Sequence, residues 1–167
     1  MRIFGIAGYS GMGKTTLLEL LIPEIKQRGL RVSLIKHSHK DIEIDRPGKD
    51  SFRLREAGCT EVLLLGRTRW ALMHELRGEP EPSLDYLLTR LQDCDLVLVE
   101  GFKEGDFPKL EVWRASEGKS TLWPHWPGIV GIASDGPVPE CTVPVLDLKN
   151  ASAIADFVLN QAIALRG

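Results

Sequence analysis

At 167 residues with an apolar share of 43%, the chain has the size of one domain with a sizeable core. A net charge of −2 and a pI near 6.1 argue against broad electrostatic binding to nucleic acid or a membrane surface. Cys59, Cys94 and Cys141 are widely spaced with no CxxC pair, as expected of core or loop residues in a reducing, cytoplasmic setting. No apolar run is long enough to cross a bilayer, and the one after Arg2 is too short for a signal peptide.

Residues 2–7 read as a buried central strand bounded by Gly8. The next stretch, Gly8-Tyr9-Ser10-Gly11-Met12-Gly13-Lys14-Thr15, fits Gly, four residues, Gly-Lys-Ser/Thr, the phosphate-binding P-loop. Its glycines let consecutive backbone N–H groups turn inward as an anion nest. Lys14 can reach the β- and γ-phosphates, and the Thr15 hydroxyl can ligate Mg²⁺. A helix over 14–28 follows, with Leu17, Leu18, Leu21, Ile22 and Ile25 as its apolar stripe. It points its positive dipole end at the same phosphates. Pro23 is expected to kink it or end its first part, and Gly29 to follow its C-terminus.

Arg31 to Lys36 is a second strand. Residues 36–50 are polar, carry Pro47-Gly48 and read mostly as loop. This loop leaves the carboxyl end of a strand beside the P-loop strand, where open α/β sheets bind ligands. Asp50 or Ser51 can cap a short helix through Ala57, ended by Gly58. Glu61–Leu65 is a third strand, and Arg69–Leu76 pairs back on it after a turn. Ser83 caps a helix to about Gln92.

Asp95 to Gly101 is the second diagnostic element. Leu96, Val97, Leu98 and Val99 make a strand buried on both faces, and it ends in Glu100. A strand ending in an acid is how P-loop proteins place the group that holds Mg²⁺, directly or through water. Further strands are expected at Lys109–Arg114, Gly128–Ala133 and Val143–Asp147. In the loop from Ser116 to Pro127, Trp123 and Trp126 are expected to pack locally rather than bind a flat ring. Asn150 caps a last helix to about Leu165, packed through Ile154, Phe157, Val158 and Ile163. The alternation gives a single three-layer α/β domain with a largely parallel sheet.

These blocks resemble a known family, the molybdopterin-guanine dinucleotide biosynthesis adapter proteins. The similarity runs through Gly8 to Leu18, Ile35-Lys36-His37-Ser38-His39, Asp45-Arg46-Pro47-Gly48-Lys49-Asp50-Ser51 and Arg55 to Gly58. It continues in Leu98-Val99-Glu100-Gly101-Phe102-Lys103 and Pro108 to Val112. The resemblance implies a homodimeric GTP-binding protein with at most weak GTPase activity. Such a protein assists the molybdenum cofactor guanylyltransferase (MobA-type) that attaches GMP to molybdopterin. By the match, Gly8, Tyr9, Ser10, Gly11, Met12, Gly13, Lys14, Thr15 and Thr16 hold the phosphates of GTP. Thr15 and Glu100 hold Mg²⁺. Met12 stands where the family often has a small or polar residue, and contributes mainly its backbone.

Lys14 and Glu100 are the expected catalytic groups. Asp45 and Asp50 can position water or complete the metal shell, although lone acids in a charged loop are more often solvated. Lys36, His37, Lys49, Arg53 and Arg55 can receive a pterin phosphate or an acidic partner, which the resemblance favours over a solvated loop. His37 and His39 give only half a metal site. No Asn-Lys-x-Asp guanine reader is present. Asp135, in Ala133-Ser134-Asp135 after a late strand, is the candidate to accept from guanine N1–H and N2–H₂. A small-molecule P-loop kinase is the alternative reading, and a pure binding module a third.

Overall fold

In the computed structural model, which describes residues 1–38, 42–103 and 105–165, β1 (Arg2–Ala7) is the axis of the main sheet. β5 (Leu96–Glu100) pairs parallel with it from Arg2↔Leu96 to Ile6↔Glu100. β2 (Val32–Lys36) pairs parallel with β5, from Val32↔Leu96 to Lys36↔Glu100. On the other side lie β6 (Lys109–Trp113), β7 (Ile129–Ser134) and β8 (Val145–Asp147), giving the order β2-β5-β1-β6-β7-β8. The expected α/β fold with a largely parallel sheet is what is found. Every residue of β5 is buried, which explains its unbroken apolar run.

The chain divides into two compact units, residues 1–37 with 91–167, and residues 38–90. In the first, α1 (Lys14–Gln27) and α4 (Ala151–Gln161) pack against each other. Leu17, Leu21 and Ile25 of α1 join Ile154 and Val158 of α4 in one core with Phe4, Leu96, Leu98 and Leu110. Phe157 meets the Phe4 ring edge-on, with centroids 6.4 Å apart. Asn150 caps α4 by accepting from the Ala153 amide at 3.0 Å.

Several expectations need correction. α1 runs to Gln27, close to the expected span, so of the two effects expected of Pro23 it does not end the helix. The carbonyl that proline leaves unpaired belongs to exposed Glu19, where water can satisfy it. α4 stops at Gln161, and Ile163–Ala164 form β9, antiparallel to Arg2 and Ile3. Since β6 covers only Gly5–Ala7 of β1, the first residues of that strand, paired with β5 on one side, would otherwise lack ladder partners on the other. Ile163 is therefore a half-exposed strand residue, not a helix anchor.

In the second unit, α2 (Asp50–Glu56) starts after Lys49, so Asp50 lies in the first turn rather than at the cap. β3 (Glu61–Leu65) and β4 (Trp70–His74) form a separate antiparallel hairpin and are not part of the main sheet. α3 (Leu84–Thr89) is capped by Ser83, as expected, but ends three residues before Gln92. Leu88 is its only buried residue, too little packing to extend a marginal helix.

β6 carries two buried charges. Lys109 donates to the carbonyls of Gly105 (2.7 Å), Phe107 (3.2 Å) and Pro127 (3.3 Å). Burial pulls its pKa below the usual lysine value. Glu111 accepts from the amides of Leu122 (2.7 Å) and Trp123 (2.9 Å). Burial raises its pKa, and the two amides partly offset that. This carboxylate pins the 116–127 loop beside Ala7, where Leu122, Trp123, Trp126 and Ile129 pack together. The tryptophans thus pack locally, as expected. Glu111→Ala leaves both amides without an acceptor at about 1–3 kcal/mol each. Urea denaturation should therefore show a loss of about 2–6 kcal/mol in unfolding free energy.

Candidate functional site

The P-loop joins β1 to α1. Gly8 adopts φ 136°, and a Cβ there would lie 2.6 Å from the Val112 carbonyl oxygen, so only glycine fits. Gly13 stands at the cap of α1 in the left-handed region, φ 92°. The Met12 side chain is fully buried in the main core. It fastens the middle of the loop from beneath. The departure at this position is thus a packing anchor.

Lys14 Nζ donates to the carbonyls of Gly8 (2.9 Å) and Tyr9 (3.0 Å). It lies 3.9 Å from Glu100 Oε1. Lys36, level with Glu100 in the β2–β5 register, places Nζ 3.2 Å from Glu100 Oε2 and 3.5 Å from Thr15 Oγ1. Burial lowers the Lys14 pKa first. Glu100 opposes that, and the neighbouring ammoniums of Lys36 and Lys119 push it lower still.

Whether Mg²⁺ suits this place can be judged from the oxygens. Thr15 Oγ1 and Glu100 Oε2 both face one point, and an ammonium already stands there within 3.5 Å of each. Glu100 Oε2 is buried, and Lys36 meets it as a charge without the alignment of a hydrogen bond. A buried carboxylate oxygen lacking a donor beside a threonine hydroxyl is a donor set that fits a hard cation. Lys14, Thr15 and Glu100 are therefore brought together. Tyr9, Ser10, Gly11 and Thr16 line the exposed edge of the loop and first turn.

Two residues not singled out by sequence join them. Arg114, at the end of β6, donates from Nε to the Met12 carbonyl at 3.2 Å and from Nη1 to Asp135 Oδ2 at 2.5 Å. Lys119 donates to the Ser10 carbonyl at 3.3 Å, and its ammonium lies 5.3 Å from the centroid of the Tyr9 ring. Asp135 follows β7 and borders an open pocket with Ser134, Gly136, Leu146, Asp147 and Lys149, at the carboxyl ends of β7 and β8.

Asp45 has partners of its own. It belongs to the second unit, where its buried carboxylate meets Arg55 Nη2 at 3.2 Å. Arg55 also binds Glu75 at 3.2 Å and covers the Phe52 ring. Asp45 is thus paired rather than solvated, and Arg55 is committed to internal partners. His39 lies outside the described residues. Among the described residues no three His, Cys, Asp or Glu side chains are arranged to hold a metal ion. No described helix is long and apolar enough to cross a membrane.

The family model described as "Molybdopterin guanine dinucleotide synthesis protein B" matches residues 3–135. The chain belongs to this family. Molybdopterin-guanine dinucleotide biosynthesis adapter proteins are among its relatives. That of Escherichia coli K12 is 40% identical over 163 residues, 94% of this chain and 91% of the relative. That of Haemophilus influenzae is 45% identical over 161 residues, 95% and 88% of the two chains. A crystal structure of molybdopterin-guanine biosynthesis protein B superposes with a TM-score of 0.75 at 27% identity, covering 95% of this chain and 98% of that one.

The Lys14 environment has a measurable consequence. Its folded pKa lies below the unfolded value near 10.5, so the folded chain binds fewer protons across that interval. Its charge costs stability below the folded pKa, and the cost fades as pH rises through the unfolded one. The stability of the wild type relative to Lys14→Met should therefore rise as pH climbs from below 10.5 through that value. Chemical denaturation of both proteins across that range would check it.

Proposed function

We propose that this chain is a GTP-binding adapter of molybdopterin guanine dinucleotide biosynthesis, acting with a guanylyltransferase that attaches GMP to molybdopterin. The observation that carries the nucleotide reading is the meeting of Lys14, Lys36, Thr15 and Glu100 at the mouth of the P-loop. Family membership and the names of the relatives support the pathway.

In this reading the loop amides and the α1 N-terminus hold the phosphates. Lys14 leaves the Gly8 and Tyr9 carbonyls to bind β- and γ-phosphate oxygens. Thr15 and Glu100 hold Mg²⁺, which would neutralise phosphate charge when bound. Lys36, freed from Glu100, adds a further cation. All of these groups position ligand and balance charge. Glu100 faces two ammoniums and is committed to balancing charge rather than activating water, which favours slow hydrolysis.

The pocket at the ends of β7 and β8 supports a base site. Asp135 keeps Oδ1 to accept from guanine, while Arg114 holds Oδ2. A homodimer is supported by one face of the β3–β4 hairpin. There Leu63 pairs with Leu72 and Leu65 with Trp70, at 61%, 40%, 81% and 56% exposure respectively. An apolar ribbon face of this kind calls for a covering surface.

Calorimetry with Mg²⁺ would test the reading. The wild type should prefer GTP to ATP by about tenfold or more, as for a buried hydrogen-bond pair. Lys14→Ala should bind neither measurably, and Asp135→Ala should bind both alike. A wild-type preference for ATP would move the chain to the kinase class.

A further inference from the structure

We infer that Lys119 is a second phosphate-binding lysine of this site, reserved for the terminal phosphate of a nucleoside triphosphate. The inference rests on the nucleotide reading above and names a residue that neither the P-loop pattern nor the β5 acid provides.

The segment after β6 is a strap laid over the P-loop and fixed along its length. Arg114 holds the Met12 carbonyl. A short 3₁₀ turn, Ala115–Glu117, ends at Gly118 with φ 63°. The Trp113 indole donates to the Lys119 carbonyl at 2.8 Å, and Glu111 binds the amides of Leu122 and Trp123. The Lys119 backbone is therefore tied on both sides while its side chain is exposed. Its ammonium rests on the Ser10 carbonyl and the Tyr9 ring. No carboxylate of the described residues lies within 4.0 Å of it.

Position along the loop selects the phosphate. Lys14 Nζ, the group that reaches β- and γ-phosphates, lies against Gly8 and Tyr9. That marks the first half of the loop as the outer, γ-phosphate end. The amides nearer α1 serve the inner phosphates. Lys119 lies on Tyr9 and Ser10, in the outer half, close enough for its charge to act on Lys14. With Lys36 on the far side, three ammoniums surround the mouth; Glu100 faces Lys14 and Lys36, and Glu117 Oε2 lies over the loop, 3.7 Å from where a Cβ on Gly11 would stand. A diphosphate answers Lys14 alone. A γ-phosphate, lying between Lys14 and the strap, gives Lys119 a ligand in place of its neutral carbonyl.

Isothermal titration of GDP and the non-hydrolysable analogue GMPPNP, each with Mg²⁺, on the wild type, Lys119→Met and Lys119→Arg tests this. Lys119→Met should weaken GMPPNP by about tenfold or more, the scale of one charge-assisted hydrogen bond, and GDP by less than about twofold. Lys119→Arg should recover most of the loss. Equal losses for both nucleotides would make Lys119 a structural tie of the loop, and unchanged GMPPNP affinity would place it outside the site. Either overturns the assignment while leaving the nucleotide reading intact. A wild type that binds neither nucleotide overturns that reading, and the assignment with it.

Discussion

Three parallel strands end level with one another, and the site depends on that register. Ile6, Glu100 and Lys36 share one rung across β1, β5 and β2. The β1 chain leaves that rung as the P-loop, β5 ends in a carboxylate and β2 ends in an ammonium. One residue of slip would turn Glu100 or Lys36 to the opposite face, separating the charges now 3.2 Å apart. A slip would also draw a charged end of the strand, Asp95 or Glu100, into the rungs that Leu96 to Val99 now fill, at the cost of burying an unpaired charge.

Electrostatics follow from this frame. Lys14, Lys36 and Lys119 converge at the loop, and burial first, then the two neighbouring ammoniums against the opposing pull of Glu100, depresses the proton affinity of Lys14. Such a cluster is costly without an anion and relaxes with one, so binding energy is stored in the fold itself. Lys36 also holds the point between Thr15 Oγ1 and Glu100 that a hard cation would prefer. Phosphate and metal would therefore enter together, since a phosphate gives Lys36 somewhere to go.

Much of this was legible in the sequence because it is local. The P-loop is eight consecutive residues, Glu100 closes a contiguous apolar strand, and the family was read from short blocks; the strand order was not, since β2 was expected beside β1 and β5 lies between them. What stayed hidden depends on distant pairing. Lys119 reaches Ser10 across 109 positions of chain and Arg114 reaches Met12 across 102. No local pattern encodes either. Glu111 reads as a polar residue in a strand, and its burial is visible only when Leu122 and Trp123 turn back onto it. The apolar hairpin looked like two more sheet strands, since exposed and buried leucines are identical in sequence. Ile163 fitted a helical period but was taken by the edge of β1's first residues that β6 leaves open. Asp45 resembled a solvated acid until Arg55 was found beside it.

Anomalous diffraction from crystals grown with Mn²⁺ and GMPPNP would test the shared cation position most directly. A single peak touching Thr15 Oγ1, with Glu100 bound directly or through one water and Lys36 turned onto phosphate, is the expected result. A metal elsewhere, with Lys36 still bridging Thr15 and Glu100, would contradict the account.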